Sequence, residues 1–353
     1  MMLKNNKKIL IIGNLGYIGP VLVKHLRGLY PKAILVGVDN AYFQNCLISP
    51  VFSYDHLLDS QIYADVRSIN SELFSDVDSV VSLAAISNDP MGSAYETPTK
   101  EINTDAVIKI ATMAKSVGVK NFIFASSCSV YGALGEEAKN EKSPLNPLSA
   151  YARSKIATEE SLENLSGSGF IVTCLRFATA CGASPRLRLD LVLNDFVAGA
   201  ILSRKIEILS DGTPWRPLID TQDMATAIEW GLHRDALNGG NFLVVNTGSN
   251  DWNFTIRDLA KAVQAHIPDI EVLINTDAPP DRRSYKVDFS LFKQLAPDFY
   301  PSKTLQESII ELSDLINSAP YISADFRNSN FMRLNTLRSL KNMNKLDEDL
   351  NWV

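Results

Sequence analysis

Residues 8–39 read KILIIGNLGYIGPVLVKHLRGLYPKAILVGVD. The first apolar run predicts a buried strand, the glycines after it form a tight turn, and the next apolar residues recur at helical spacing. Glycines let the backbone approach a pyrophosphate, and the free amides at a helix N-terminus attract anions. A second apolar run ends on Asp39, roughly 20 residues beyond the glycine loop, where dinucleotide-binding proteins carry a ribose-binding acid. This stretch therefore predicts a dinucleotide-binding βαβ unit.

The acid at Asp39 also indicates which dinucleotide binds. A carboxylate accepts hydrogen bonds from the ribose hydroxyls and repels a 2′-phosphate, which favours NAD over NADP. Asp39 and Asn40 equally fit a simple strand-ending turn. Asp65 ends a later predicted strand, where it either contacts the adenine or is a solvated strand end. Asn103, in a predicted helix at 99–116, either projects towards the cofactor or is a surface or capping residue.

The alternation of strands and helices up to residue 177 is typical of a right-handed, doubly wound parallel sheet. We expect an α/β fold: a Rossmann-type sheet in residues 1–183 and a smaller, mixed C-terminal substrate domain in residues 184–353. After Gly182 the elements become shorter and prolines more frequent, and a crossing back to the first domain is expected around 217–248. Apolar spacing in the tail, 326–353, predicts an amphipathic helix that packs on the body or on a partner subunit.

Composition excludes several classes of function. The chain has 353 residues, 46% of them hydrophobic and 21% charged, which suits one large or two closely joined globular domains. A net charge of −6 argues against a nucleic-acid surface. Four cysteines without a CxxC pair, and without a metal-like grouping with the four histidines, predict reduced thiols in the cytoplasm and no metal. No apolar segment is long enough for a membrane span, so we expect no membrane partner.

Residues 122–155, FIFASSCSVYGALGEEAKNEKSPLNPLSAYARSK, carry the candidate chemistry. A predicted strand ends in small polar residues that include Ser127, and open α/β sheets bind ligands at this edge. Ser149 is a candidate N-cap, and Tyr151 and Lys155 lie one helical turn apart on the same face. A hydroxyl, a phenol and an ammonium can therefore meet, although an isolated Tyr–Lys pair at this spacing also fits an exposed helix face.

The second half offers arginines for an anionic substrate. Guanidinium groups bind diphosphates through paired hydrogen bonds, whereas a single arginine more often is a solvated surface charge. Three segments carry them: Arg186 with Arg188, Arg216, and Arg282 with Arg283.

Together these motifs resemble a known family. The glycine pattern Gly13-x-x-Gly16-x-x-Gly19, SSCSVYG at 126–132, YARSK at 151–155 and WRPLID at 215–220 are similar to those of extended short-chain dehydrogenases/reductases, in the nucleotide-sugar epimerase and dehydratase group. The resemblance implies NAD as the cofactor, a nucleoside-diphosphate sugar as the substrate, and a homodimer.

The resemblance also implies roles for individual residues. Tyr151 is the acid/base, Lys155 holds the nicotinamide ribose and lowers the pKa of the tyrosine, and Ser127 hydrogen-bonds the reacting sugar oxygen. The remaining cofactor-binding positions are Gly13, Gly16, Tyr17, Ile18, Gly19, Asp39, Asn40, Asp65, Val66, Leu83, Ala84, Ala85, Asn103, Ser126 and Phe177. The substrate-binding positions, besides Ser127, are Ser87, Asn88, Cys128, Ser129, Thr179, Arg186, Arg188, Asn194, Arg216, Arg282 and Arg283.

Three positions depart from the family pattern. Cys128 and Ser129 stand where dehydratases and decarboxylases of the group commonly carry an Asp or Glu, which disfavours elimination and decarboxylation unless Asp89 or Glu136 substitutes. Cys128 is either a proton donor or, more commonly for a free cysteine, a buried small hydrophobe. Thr179 replaces an asparagine that many members carry near the substrate phosphates.

The leading expectation is an NAD-dependent nucleotide-sugar epimerase that acts at C4 through a transient 4-keto intermediate. A nucleotide-sugar 4-dehydrogenase or 4-keto-sugar reductase, with net redox, fits the same residues. A non-catalytic NAD-binding sensor is the rival from another class. The base and the sugar of the substrate stay open.

Overall fold

The computed structural model describes residues 7–49, 53–133, 137–276, 284–319 and 321–353. Its main element is a seven-stranded parallel sheet. The strands in chain order are β1 Lys8–Ile12, β2 Ile34–Asp39, β3 Ser60–Tyr63, β4 Ser79–Ser82, β5 Asn121–Ser127, β6 Ile171–Phe177 and, after three strands that belong elsewhere, β10 Phe242–Thr247. Their order across the sheet is β10-β6-β5-β4-β1-β2-β3, with every pairing parallel. The predicted doubly wound α/β sheet is therefore confirmed.

Helices cover both faces of this sheet, and its central strands are therefore apolar on both sides. Residues Ile9 to Ile12 of β1 are fully buried, as are Val80 and Val81 of β4. The covering helices are α1 Gly19–Leu29, α2 Asp89–Ala94, α3 Glu96–Lys100, α4 Ala106–Ser116, α5 Ala150–Leu165 and α7 Thr221–His233. Because the strands are parallel, the carboxyl ends of β1, β4, β5 and β6 share one edge, and polar residues collect there.

The helix predicted at 99–116 is interrupted. A π-helical turn at Glu101–Asp105 separates α3 from α4. Single π-turns inside helices frequently occur at functional sites. Here the turn contains Asn103, whose side-chain amide binds both the backbone N–H and the carbonyl of Ile86. The interruption thus anchors the loop that follows β4.

The second half of the chain builds a smaller, mixed unit with its own core. One sheet has the order β11-β9-β7 and another pairs β12 with β8, with strands β7 Thr179–Cys181, β8 Lys205–Ile208, β9 Trp215–Asp220, β11 Asn253–Thr255 and β12 Glu271–Ile274. Buried side chains of three helices pack beside them, on α6 Val192–Leu202, α8 Ile256–His266 and α10 Leu305–Asn317. Between these elements the chain returns to the first sheet as β10, which is preceded by α7.

The C-terminal segment folds back onto the first half. After α9 Ser290–Leu295 and α10, helix α11 spans Arg333–Asn342, and Leu337, Leu346 and Leu350 join the core that packs on the first sheet. The tail helix expected from sequence is present and packs on the body. Among the described residues, no helix is both long and apolar enough to cross a membrane.

Candidate active site

The glycine loop joins β1 to α1 at the carboxyl edge of the sheet. Gly13 has a φ of +88°, and a Cβ on it would lie 2.4 Å from the backbone nitrogen of Ala84 at the end of β4. A Cβ on Gly19 would lie 2.1 Å from the carbonyl oxygen of Asn14. Only glycine fits these positions without a backbone shift. The loop therefore brings bare backbone to the wall of the cavity described below, as a pyrophosphate site requires.

Asp39 ends β2 beside this loop. Its carboxylate accepts hydrogen bonds from the backbone N–H of Leu15 at 3.1 Å and of Ala41 at 2.8 Å. Burial raises the pKa of Asp39, while these hydrogen bonds and the charges of Arg186 and Arg333 oppose the rise. The carboxylate is thus held in place next to the glycine loop, where it can accept hydrogen bonds from the ribose hydroxyls.

A single cavity of about 940 Å³ joins the glycine loop to the carboxyl end of β5 and to the second domain. This volume lies at the upper end of the usual range for small-molecule sites, which suits an extended ligand. Most of the residues expected from sequence line it. They are Gly13, Gly16, Tyr17, Ile18, Asp39, Asn40, Val66, Leu83, Ala84, Ala85, Ser87, Asn88, Ser126, Ser127, Ser129, Tyr151, Lys155, Phe177, Thr179, Arg188 and Arg216.

Ser127, Tyr151 and Lys155 all line this cavity. Ser127 is the last residue of β5, and its hydroxyl lies near enough to the Tyr151 phenol to lower the pKa of that phenol. Tyr151 lies in the first turn of α5, which Ser149 caps by accepting a hydrogen bond from the N–H of Ala152 at 3.1 Å. Lys155 lies one turn further along, with Nζ 5.4 Å from the centroid of the Tyr151 ring. The hydroxyl, phenol and ammonium are therefore brought together on one wall.

The charge states of these groups follow from their burial. Burial raises the pKa of Tyr151 to about 12, against the lowering effects of the nearby Ser127 hydroxyl and of the charge of Arg188. Burial lowers the pKa of Lys155 to about 8, although the Glu159 carboxylate opposes the shift. The ammonium donates a hydrogen bond of 2.7 Å to the carbonyl of Ala125. The protein alone thus keeps the phenol protonated at neutral pH, contrary to the expected lowering, because burial is the largest effect.

A buried ionic network supports this wall from behind. Glu159 accepts hydrogen bonds from the Arg176 guanidinium at 2.6 and 3.0 Å and from the Ser126 hydroxyl at 2.5 Å. Arg176 also donates to the hydroxyl of Tyr131 at 3.0 Å. Both charged side chains are about 5% exposed, so the pair is almost fully desolvated. The network was not expected from the sequence, although Glu159 lies one turn beyond Lys155 on the same helix.

Polar side chains from both domains meet at the far end of the cavity. The Arg188 guanidinium binds both oxygens of Asp190 at 2.9 Å and donates to the Ser87 hydroxyl at 3.0 Å. Asn88 donates to Asp190 at 2.8 Å. The sequence does not single out Asp190, because a lone acid after an arginine pair carries no signal of its own. The cluster fixes the orientation of the loop after β4 against the second domain.

Several expected residues lie behind the cavity wall instead of on it. Gly19 packs against the loop. Asp65 is bound by the guanidinium of Arg67 at 2.8 and 3.0 Å. Asn103 holds the Ile86 loop, as described above, and also donates to the hydroxyl of Ser154 at 3.1 Å. The polar groups of Asp65 and Asn103 are already bound by partners within the protein, and Gly19 is in tight contact with the Asn14 backbone, so all three shape the site without lining it.

Three of the expected substrate-binding residues are also bound by partners within the protein and do not line the cavity. Cys128 is fully buried, its thiol donates to the carbonyl of Arg176 at 3.0 Å, and burial raises its pKa. Arg186 pairs with Asp55 at 2.8 Å, and Asn194 binds the hydroxyl of Tyr17 at 2.9 Å. Arg282, Arg283 and Glu136 lie outside the described residues.

Comparison with known proteins agrees with this geometry. The family model of the NAD dependent epimerase/dehydratase family matches residues 9–248. The chain is 27% identical to UDP-glucuronic acid decarboxylase 6 of Arabidopsis thaliana over 335 residues, which cover 92% of this chain and 90% of that protein. It is 28% identical to UDP-glucose 4-epimerase 2 of the same plant, over 51% of this chain and 53% of that protein.

A solved structure shows the same fold. UDP-N-acetylglucosamine 4-epimerase from Methanobrevibacter ruminantium M1, in complex with UDP-N-acetylmuramic acid, superposes with a TM-score of 0.77 and 23% identity, covering 89% of this chain and 99% of that one. The family match spans the glycine loop, Ser127, Tyr151 and Lys155. The chain therefore belongs to the NAD-dependent epimerase/dehydratase family and is an NAD-dependent enzyme of that family.

Proposed function

We propose that the protein epimerises a nucleoside-diphosphate hexose at C4, through a transient 4-keto intermediate. The observation that carries the proposal is that the Ser127 hydroxyl lies near enough to the Tyr151 phenol to lower its pKa, with the Lys155 ammonium beside the phenol ring. They lie on the wall of the cavity that also contains the glycine loop. This arrangement can bind one sugar hydroxyl and exchange a proton with it.

The chain's residues fit NAD along the same cavity. The close backbone at Gly13 and Gly16 would take the pyrophosphate, the Asp39 carboxylate the adenosine ribose, and Lys155 the nicotinamide ribose. When bound, NAD supplies a hydride acceptor and, in its oxidised form, a positive charge near the phenol. That charge acts against the burial that keeps the pKa of Tyr151 at about 12.

The protein's own groups then handle the proton. The Ser127 hydroxyl holds the O4 oxygen of the sugar, and Tyr151 accepts the O4 proton as the C4 hydride is lost. The Lys155 ammonium stabilises the phenolate. If the 4-keto sugar then turned in the site, the hydride carried by the reduced cofactor would return to the other face of C4 while Tyr151 handed back the proton, which would invert C4. Ser129 also lines the cavity, and its buried hydroxyl has no hydrogen-bond partner among the described residues.

The residues after Ser127 support epimerisation over elimination. Cys128 has its thiol bound to a main-chain carbonyl and its pKa raised by burial, so it is a poor base at neutral pH. Asp89 lines the cavity and is near enough to raise the pKa of Tyr151, which makes it the candidate for any second proton transfer. Decarboxylation of a uronic acid is therefore the second candidate reaction.

A substrate panel tests the proposal. Purified protein is incubated with UDP-, GDP-, CDP- and dTDP-sugars, including a uronic acid, and followed by absorbance at the NADH band and by NMR of the sugars. Epimer formation without net NADH supports C4 epimerisation. Stoichiometric NADH change would indicate a dehydrogenase or reductase instead, release of CO₂ a decarboxylase, and bound NAD without any turnover a sensor.

Variants assign the chemistry within this assay. Tyr151→Phe removes only the ionisable hydroxyl and is expected to abolish turnover. The matched control is Tyr63→Phe, because Tyr63 is 68% exposed at the end of β3. Turnover by Tyr151→Phe at the wild-type rate would refute the acid/base role.

We also propose a cytoplasmic homodimer. Cys46, Cys128, Cys174 and Cys181 are all free and buried, which suits a reducing compartment. Light scattering on the purified protein measures the assembly, and a monomer mass at working concentration would contradict it.

A further inference from the structure

Arg333, the first residue of α11, brings a cation from the C-terminal segment to the cofactor end of the cavity. Its side chain is 2% exposed, and it lines the same cavity as Gly13 and Asp39. The guanidinium lies over the ring of Phe43, with Cζ 4.8 Å from the ring centroid. A stacked, buried guanidinium has little freedom, so its remaining donors are fixed in direction.

The hydrogen bonds of this guanidinium are incomplete. Nη2 donates to the main-chain carbonyl of Arg186 at 2.7 Å, whereas Nη1 is buried and has no partner among the described residues. The neighbouring arginines each have a carboxylate, Asp55 for Arg186 and Asp190 for Arg188. In the part of the chain that the structure describes, no carboxylate forms an ion pair with Arg333. A buried cation without a counter-ion destabilises the folded protein unless an anion binds to it.

The position of Arg333 indicates which anion. The positive charge of Arg333 lowers the pKa of Asp39, the candidate ribose acid. At the sugar end, the charge of Arg188 lowers the pKa of Arg333 and the charge of Asp190 raises it. Arg333 therefore lies within electrostatic reach of both groups, on the wall of the cavity that Gly13 and Asp39 also line. A dinucleotide bound along this cavity would bring its pyrophosphate near this wall, and a guanidinium binds phosphate oxygens through two parallel hydrogen bonds.

The C-terminal segment is itself anchored next to Asp39. Leu337 and Leu350 are fully buried in the same core as Tyr42. The Tyr42 hydroxyl donates to the carbonyl of Leu350, and the Trp352 indole donates to the carbonyl of Asn40 at 2.7 Å. These contacts hold α11, and with it Arg333, in a fixed position before any ligand binds.

We propose that Arg333 binds the pyrophosphate of NAD, so that the C-terminal segment completes the cofactor site that the glycine loop begins. The inference rests on the proposed function only for its cofactor and is independent of which sugar reaction follows. A substrate diphosphate has the same chemistry, and the test separates the two sources.

The test compares wild type with Arg333→Met, Arg333→Lys and the control Arg338→Met, which changes an exposed arginine of the same helix. After dialysis to remove bound nucleotide, each protein is titrated by calorimetry with ADP-ribose, NAD and UDP, and by ligand-observed NMR with adenosine. Arg333→Met is expected to weaken the binding of ADP-ribose and NAD at least tenfold, about 1.4 kcal/mol, and to leave the affinities for adenosine and UDP unchanged. Arg333→Lys should fall between, because it keeps the charge and loses the paired donors. Arg338→Met should match wild type.

Thermal unfolding without ligand separates binding from structure. Removal of an uncompensated buried charge is expected to leave the Tm of Arg333→Met equal to that of wild type or higher. A lower Tm, together with equal losses for adenosine and ADP-ribose, would show a purely structural role and overturn the proposal. Loss of UDP affinity alone would overturn it in favour of the sugar nucleotide. If wild type itself binds neither NAD nor ADP-ribose, the proposed function fails and this inference fails with it.

Discussion

Replacement of Glu159 by glutamine tests the network that supports the catalytic wall. Glu159 accepts hydrogen bonds from Arg176 at 2.6 and 3.0 Å and from Ser126 at 2.5 Å, and both charges of the pair are almost fully buried. Glutamine keeps the shape but leaves the Arg176 cation without its counter-charge. Breaking a buried pair by removing one partner costs about 3–5 kcal/mol. With an m-value of about 3 kcal/mol per molar urea, the unfolding midpoint falls by roughly 1–2 M.

The same change affects the chemistry through Lys155. Burial lowers the pKa of Lys155 to about 8, and the Glu159 carboxylate raises it against that effect. Without this carboxylate the ammonium loses its proton at lower pH, so the alkaline limb of the pH–kcat profile moves to lower pH. Glu160→Gln is the control, since Glu160 is exposed on the same helix and should change stability by about 0.5 kcal/mol or less. Urea unfolding within about 1 kcal/mol of wild type, with an unmoved alkaline limb, would refute the reasoning.

Three further outcomes follow from the structure. Gly13→Ala places a Cβ 2.4 Å from the Ala84 nitrogen and should abolish NAD binding, whereas Gly118→Ala, at a φ of +89° with open space around it, should cost only about 1–2 kcal/mol by thermal unfolding. Cys128→Ala should keep turnover within about twofold if the thiol acts only as a small hydrophobe, and a complete loss would make it a proton donor. Burial raises the pKa of Glu229, but hydrogen bonds with His233, His25 and Tyr30 lower it to about 2. Ionised Glu229 therefore stabilises the folded protein fully above its unfolded-state pKa of about 4.3, and this stabilisation is lost as the pH falls towards 2. Acid unfolding should show that wild type loses up to ~3 kcal/mol of folding free energy over this range, whereas Glu229→Gln does not.

Sequence patterns predicted the features that depend on neighbours in the chain. The glycine loop, Asp39, and the spacing of Tyr151 and Lys155 each lie within one turn or one strand–helix unit, so local geometry determines where the side chains point. The parallel sheet then brings Ser127 to Tyr151, as the edge rule for such sheets requires.

Contacts between residues far apart in the sequence explain where the structure differs from the sequence-based predictions. Arg186 pairs with Asp55, 131 positions away in the sequence, and so is not free for a substrate. Arg333 reaches the cofactor end only because the chain turns back after α10, and its hydrogen bond to Arg186 spans 147 positions. Periodicity detects the apolar face of such a helix and carries no information about the cavity on which its first residue borders.

The return of the chain to the first sheet has a consequence for folding. Strand β10 pairs with β6 along six residues, Phe242–Thr247, although β7, α6, β8 and β9 of the second unit separate these strands in sequence. Neither half can lose its structure without disturbing the other, so the whole chain is expected to unfold as one cooperative unit with a single thermal transition. A fragment that ends at residue 183 would leave the N–H and C=O groups of β6 unpaired along a flat apolar edge, which makes it prone to aggregation instead of an independent cofactor-binding module.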